Sequence, residues 1–205
     1  MTTVIKQIAE RLHAYRPRRL PGRDLVTRCG VVILIAERGM RETHRAPAIL
    51  MMRRAERQGD PWSGDVSFPG GKQDADDANT RAAALRELEE ETGFNPAGSV
   101  TPIGRLSDRL TREHGRNRPM VVSPYVYVTP KAMRLLPGAE AAALVWVPLT
   151  HLTDPARRTR KIWRVRGVPL PAPAIDIGDA ILWGLSLMVA EELVKACGLK
   201  RIHPA

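Results

Sequence analysis

A chain of 205 residues suits one domain with modest additions, and 43% apolar residues can fill a core without disulfide or metal staples. The formal charge of +10 admits a nucleic-acid partner, an anionic small substrate or simply an arginine-rich proteome, and the scattered arginines with only 4% aromatic residues argue against nucleic acid as the main partner. No run reaches the roughly 18 apolar residues of a membrane span and no apolar signal core opens the chain, so a soluble cytoplasmic protein, monomer or homodimer, is expected.

Cys29 and Cys197 lie far apart and outside any CxxC or Cys/His cluster, and read as buried free thiols. From Thr2 to Arg19 the chain is mildly amphipathic, with Ile5, Ile8 and Leu12 at helical spacing, which predicts a short docking helix. Arg16 to Leu25, rich in Arg, Pro and Gly, reads as a linker, so residues 1–26 form a helix and linker ahead of a single domain over 27–205. Val31–Ile35 and Ala48–Met52 predict buried strands joined by a polar turn over Glu37–Pro47. A loop at Gln58–Ser63 leads into a strand-to-loop element, Val66-Ser67-Phe68-Pro69-Gly70-Gly71.

Thr80 to Thr92 is helical in pattern, with Ala84, Leu85 and Leu88 as its apolar stripe. Asp77 or Asn79 can cap its start, and Gly93 stops it. Thr101–Leu106, Val121–Val128 and Leu144–Leu149 predict further strands. Ala156 to Ala174, basic and proline-rich, reads as loop, and Asp179 to Cys197 as one long core-packing helix. This order is that of an α+β protein.

The chemistry concentrates in Gly70-Gly71-Lys72 and Arg86-Glu87-Leu88-Glu89-Glu90-Glu91-Thr92-Gly93-Phe94. On a helix, Glu87, Glu90 and Glu91 share a face, and three like charges there are unfavourable unless a cation compensates them. Mg²⁺ or Mn²⁺ takes such hard oxygen ligands. From Asp74 to Glu91 seven acids face two arginines, a local net of −5 within a basic chain. The glycines let backbone approach a phosphate or an ion closely, and the Gly71 carbonyl is itself a hard ligand.

Arg86-Glu87-Leu88-x-Glu90-Glu91-x-Gly93-Phe94 resembles the C-terminal half of the Nudix box at every fixed position, with Gly71 as its opening glycine. The resemblance implies a Nudix-like α/β/α sandwich with a mixed central sheet and flanking helices, and metal-dependent hydrolysis of a diphosphate bond. Here the loop before the arginine is one residue longer than in the common box, and Asp74 and Asp77 stand in the region of its early glutamate. That variant, with Gly64-x-x-x-Phe68-Pro69-Gly70-Gly71 and the later Trp183-Gly184-Leu185-Ser186, is similar to the branch that hydrolyses coenzyme A. The branch's upstream arginine is replaced by Asp60, with Arg53, Arg54 and Arg57 nearby.

The resemblance assigns metal ligation to Gly71, Glu87, Glu90, Glu91 and Glu140. It gives catalytic roles to Glu87, Glu90 and Arg86, the arginine orienting a glutamate. Arg53, Arg54 and Lys72 become phosphate contacts. His114 lies in a basic loop, and Trp183 reads as core. The implied partner is a small nucleotide-diphosphate substrate, coenzyme A or acyl-coenzyme A first. Alternatives are ADP-ribose, a dinucleotide or a nucleotide triphosphate, and, from another class, an RNA-directed or non-catalytic module.

Overall fold

The computed structural model describes residues 3–38, 46–59, 62–113, 118–130, 132–165 and 167–199. In chain order, helix α1 (Thr3–Ala14) precedes strands β1 (Thr27–Arg38), β2 (Ala46–Arg54), β3 (Val66–Ser67) and β4 (Gly70–Lys72). Helix α2 (Thr80–Thr92) follows, then β5 (Thr101–Arg105), β6 (Arg109–Arg112), β7 (Pro119–Val128), β8 (Ala141–Pro148) and the short helix α3 (Leu149–Thr153). The chain continues through β9 (Arg158–Val165), β10 (Val168–Asp176), β11 (Ile181–Trp183) and helix α4 (Gly184–Ala196). Asp60 and His114 lie outside the described residues, as do residues 39–45 of the expected turn after β1.

The main sheet is built around β1, which pairs in parallel with β7 from Thr27↔Met120 to Ile35↔Val128, and antiparallel with β2 and β4. The remaining pairings, β2 with β3 and β8 and β7 with β5 and β6, are antiparallel, so the sheet is mixed. Side chains alternate across a strand, and β1 is apolar on both faces. Val32 and Leu34, with Leu50 and Tyr127, pack on Ala84 and Leu88 of α2. Ile33 and Ile35, with Ile49, Met51, Val126 and Val128, pack on the other side, where α1, α3 and α4 contribute Ile5, Ile8, Leu12, Leu152, Leu187 and Leu193. Helices thus cover both faces, as the α/β/α reading requires. No helix among the described residues is long and apolar enough to cross a membrane.

The amino-terminal helix docks as its spacing predicted, though it ends at Ala14. The Tyr15 hydroxyl donates to Glu192 of α4 at 2.8 Å, and the Ser107 N–H donates to the same carboxylate at 2.7 Å. The linker after it is anchored at Asp108, whose side chain is sealed from solvent. Asp108 accepts from the Leu20 N–H at 3.0 Å, the Ser123 hydroxyl at 2.8 Å and Arg23 at 2.9 Å, and also from Arg105.

Two expectations fail. The stretch expected as loop between Ala156 and Ala174 is a β-hairpin, β9–β10, turned at Gly167 with φ of 84°. Pro169, Pro171 and Pro173 recur at every second residue. A strand needs an N–H from only alternate residues to hold one neighbour, so these prolines leave the ladder to β9 intact. The expected helix from Asp179 starts only at Gly184, because Ile181–Trp183 pairs with Ala174–Asp176 as β11.

Burial alone would raise the Asp108 pKa, but the Leu20 amide, the Ser123 hydroxyl, Arg105 and Arg23 outweigh it and hold the carboxyl below the usual range. A depressed acid adds stability that is present above its unfolded pKa and is lost as pH falls through the folded value. Denaturant titrations should therefore lose stability below about pH 4. Asp108→Asn should cost on the order of 3 kcal/mol at pH 7 and flatten that acid limb.

Candidate active site

The acids are carried by α2, whose boundaries follow from local chemistry. The Asn79 side chain accepts from the Arg81 and Ala82 N–H groups at its start, and Gly93 ends it in the left-handed region at φ 65°. The helix is held against β1 at Gly30, where a Cβ would lie 1.9 Å from the Thr80 carbonyl oxygen. It is held against β4 at Gly71, while Gly70 seats β4 against β1. A Cβ on Gly71 would meet Glu87 Oε1 at 2.2 Å, and one on Gly70 would strike the Gly30 carbonyl oxygen at 2.3 Å. The glycine pair therefore lets the β4 backbone lie directly against the carboxylate face.

Glu91 is almost fully buried, and its Oε2 accepts the Gly70 N–H at 2.9 Å. Burial pushes its carboxyl up to about 7; that amide opposes the shift, while the charges of Glu87 and Glu140 reinforce it. Glu87 is raised as well, first by burial, with Arg86 opposing and Glu90 and Glu140 adding. Four carboxylates from two segments therefore act on one another electrostatically. Glu140 reaches this group from the turn before β8, its carboxylate paired with Arg57 at 3.1 Å and its carbonyl accepting from Ala55 at 2.9 Å.

Arg86 is the internal counter-charge. Its Nη1 donates to Glu87 and to Glu90, both at 3.1 Å. Its Nη2 donates to Asp77 at 3.0 Å and to the Lys72 carbonyl at 3.2 Å. The arginine thus bridges two glutamates and joins the helix to the loop before it. Asp77, expected as a possible cap, is instead this arginine's main partner and is held below the usual carboxylate range by it.

Among the described residues no three acidic, histidine or cysteine side chains already converge as they do around an ion. Arg86 draws Glu87 and Glu90 one way and the Gly70 amide draws Glu91 another. The donor chemistry still fits a hard divalent cation: the carboxylates within mutual range are all oxygen donors, two are raised by burial and like charge, and the Gly71 backbone lies against one.

The expected phosphate contacts are dispersed. Arg53 is exposed at the end of β2, and Arg54 beside it is half-buried with its charge felt by Glu91. The Lys72 ammonium is paired with the buried carboxylate of Glu113 after β6. The pairings of Lys72 with Glu113 and of Arg57 with Glu140 escaped the sequence reading, since the partners lie 41 and 83 residues apart. Burial, with Glu87 and Glu91, pushes the thiol of Cys29 beside the acids up to about 12, which disfavours its thiolate. Trp183 is buried and packs 5.0 Å from Trp163 and 5.9 Å from Trp62.

The profile of the NUDIX domain matches residues 27–166. The chain is 31% identical over 117 residues to a protein of Schizosaccharomyces pombe, covering 56% of this chain and 36% of that one, so it spans about a third of that relative's length. It is 29% identical over 150 residues to the Nudix hydrolase NudL of Yersinia pestis, covering 73% of this chain and 72% of that one. A MutT/nudix family protein from Enterococcus faecalis superposes with a TM-score of 0.54 at 17% identity, over 96% of this chain and 73% of its own, a likeness of fold.

A buried acid with a raised pKa stabilises the fold fully below its unfolded value and loses that contribution as pH rises to the folded one, here between 4.5 and about 7. Glu91→Gln keeps the acceptor for the Gly70 amide and removes the charge. In metal-free protein at pH 8 it should raise stability, on the order of 1–3 kcal/mol, with the advantage gone at pH 4. Thermal melts at the two pH values check this.

Proposed function

The chain belongs to the Nudix family of hydrolases, and from that premise we propose that it cleaves the diphosphate of coenzyme A or acyl-coenzyme A, giving a phosphopantetheine and adenosine 3′,5′-bisphosphate. At the coarser level it is a hydrolase acting on nucleoside diphosphate derivatives. The observation that carries the reading is the carboxylate group itself: Glu87, Glu90, Glu91 and Glu140 within mutual electrostatic range, closed on one side by the Gly71 backbone.

Gly71, through its carbonyl, and Glu87, Glu90, Glu91 and Glu140 would hold Mg²⁺ or Mn²⁺. When bound, the ion neutralises the diphosphate oxygens and lowers the pKa of the attacking water. In this reading Glu87 would orient the water or accept its proton, its basicity raised by burial. Water adds to one phosphorus, the bridging P–O bond breaks, and two phosphomonoesters leave. Arg86 keeps Glu87 and Glu90 in fixed rotamers through its two hydrogen bonds to them. Arg53, Arg54 and Lys72 supply phosphate contacts from the rim, Lys72 by exchanging Glu113 for substrate.

Support for coenzyme A is the lengthened loop with Asp74 and Asp77, the latter now paired to Arg86, together with the Gly64–Gly71 and Trp183–Ser186 segments. Asp60, in place of an arginine, favours a second reading in which ADP-ribose, a dinucleotide or a nucleotide triphosphate is the substrate. Residues 27–205 act as one catalytic unit with 1–26 docked on it. Two buried free thiols suit a reducing cytoplasm.

A panel of coenzyme A, acetyl-coenzyme A, ADP-ribose and diadenosine substrates with Mg²⁺ or Mn²⁺, products separated by chromatography, tests the substrate. Coenzyme A should have the highest kcat/KM, and an inert coenzyme A beside rapid ADP-ribose cleavage would overturn it. Glu87→Gln and Glu90→Gln should each lower kcat by about a hundredfold or more, with the fold unchanged by circular dichroism.

A further inference from the structure

At the opposite end of α2 from Glu90 and Glu91 lies a charged cavity of about 280 Å³. Arg19, Arg23, Arg28 and Arg105 line it, with Thr80 and Tyr125 among the polar groups between them. It is close to the small end of ligand sites, roughly 300–1,000 Å³. Thr80 precedes Glu87 by seven residues, about 10 Å along a helix axis, so this cavity is separate from the carboxylate face.

Its floor is preorganised. Arg23 and Arg105 both hold the sealed Asp108 carboxylate, which fixes their guanidinium groups. Arg23 also reaches Ser123 at 3.2 Å and Thr80 at 3.4 Å, and Arg105 lies over the Tyr125 ring, 5.8 Å from its centre. The Thr80 and Tyr125 hydroxyls are 2.6 Å apart. The buried Arg105 Nε has no hydrogen-bond partner among the described residues. Arg19 and Arg28 form the rim. Among the described residues Arg28 is tied to the exposed Asp24, a pair of small energetic worth. Four guanidinium groups face two carboxylates, Asp24 and Asp108, leaving a surplus of two positive charges.

We propose that this cavity binds a phosphomonoester dianion. The surplus matches its charge, the guanidinium forks match its oxygens, and the Thr80–Tyr125 hydroxyl pair, with one proton spent on its mutual bond, supplies one neutral donor. The dianion has two possible sources: a phosphomonoester carried by the substrate, which rests on the coenzyme A reading above, or a free phosphate-bearing effector, which does not.

Binding is read without turnover. Inorganic phosphate is titrated calorimetrically into the full chain with EDTA present, at fixed ionic strength. Arg19→Gln/Arg28→Gln is the test variant. Lys6→Gln/Arg134→Gln, two exposed positions elsewhere, is a control for net charge. Wild type and control should saturate in the range of about 1–10 mM, with the test variant at least tenfold weaker. No saturation in wild type, equal binding by the test variant, or equal loss in the control overturns the proposal. The ratio of kcat/KM for coenzyme A to that for dephospho-coenzyme A then separates the sources. A fall of fivefold or more in the test variant assigns the site to the substrate's own phosphate, and an unchanged ratio with lost phosphate binding assigns it to an effector. If coenzyme A is not cleaved at all, the phosphate titration still decides the site.

Discussion

Like charge held at short range is the constraint around which this molecule is arranged. Glu87 and Glu91 are both raised by burial and by one another's neighbours, and Glu140 arrives from a distant segment to add to the strain. Such a group persists because other contacts over-determine it. Asn79 and Gly93 fix where α2 begins and ends, and Arg86 distributes one guanidinium over Asp77, Glu87 and Glu90. The hydrophobic stripe of Ala84 and Leu88 against Val32 and Leu34 pins the helix to the sheet. The apolar stripe seats the helix without the acids, while Gly71, the Gly70 amide and Arg86 touch them directly.

The parallel pair β1–β7 has a related part. It runs unbroken over nine residue pairs and is buried on both faces, so it serves as a rigid bed for α2 on one side and for α1 and α4 on the other. Gly30 sits where this bed meets the start of α2, and Gly70 and Gly71 where β4 meets the carboxylates. Gly30 and Gly71 thus set how closely sheet and helix approach, and Gly70 how closely β4 lies on β1.

What was legible in the sequence was local. The 3.6-residue period and two caps gave α2 its limits at Thr80 and Thr92, and the β-branched run gave the centre of β1. The face shared by Glu87, Glu90 and Glu91 follows from helix geometry alone. The β9–β10 hairpin was hidden because prolines and arginines signal loop, and the strand pattern survives only through the alternation of Pro169, Pro171 and Pro173. β11 was hidden because Ile181–Trp183 is as apolar as the helix that follows. The pairings Lys72–Glu113 and Arg57–Glu140, and the gathering of Arg19, Arg23, Arg28 and Arg105 into one cavity, depend on chain segments brought together by the sheet. No local pattern encodes them.

The prolines of β10 have one more consequence. The hairpin leaves Ile162, Val168 and Leu170 in solvent, an arrangement that invites strand-to-strand association. A strand whose outward edge lacks N–H donors at three alternate positions is a poor template for a neighbour there, and the β9 strand opposite bears the exposed charges of Arg160 and Arg164, which disfavour pairing with a copy. The hairpin can therefore present apolar side chains while remaining a poor seed for aggregation.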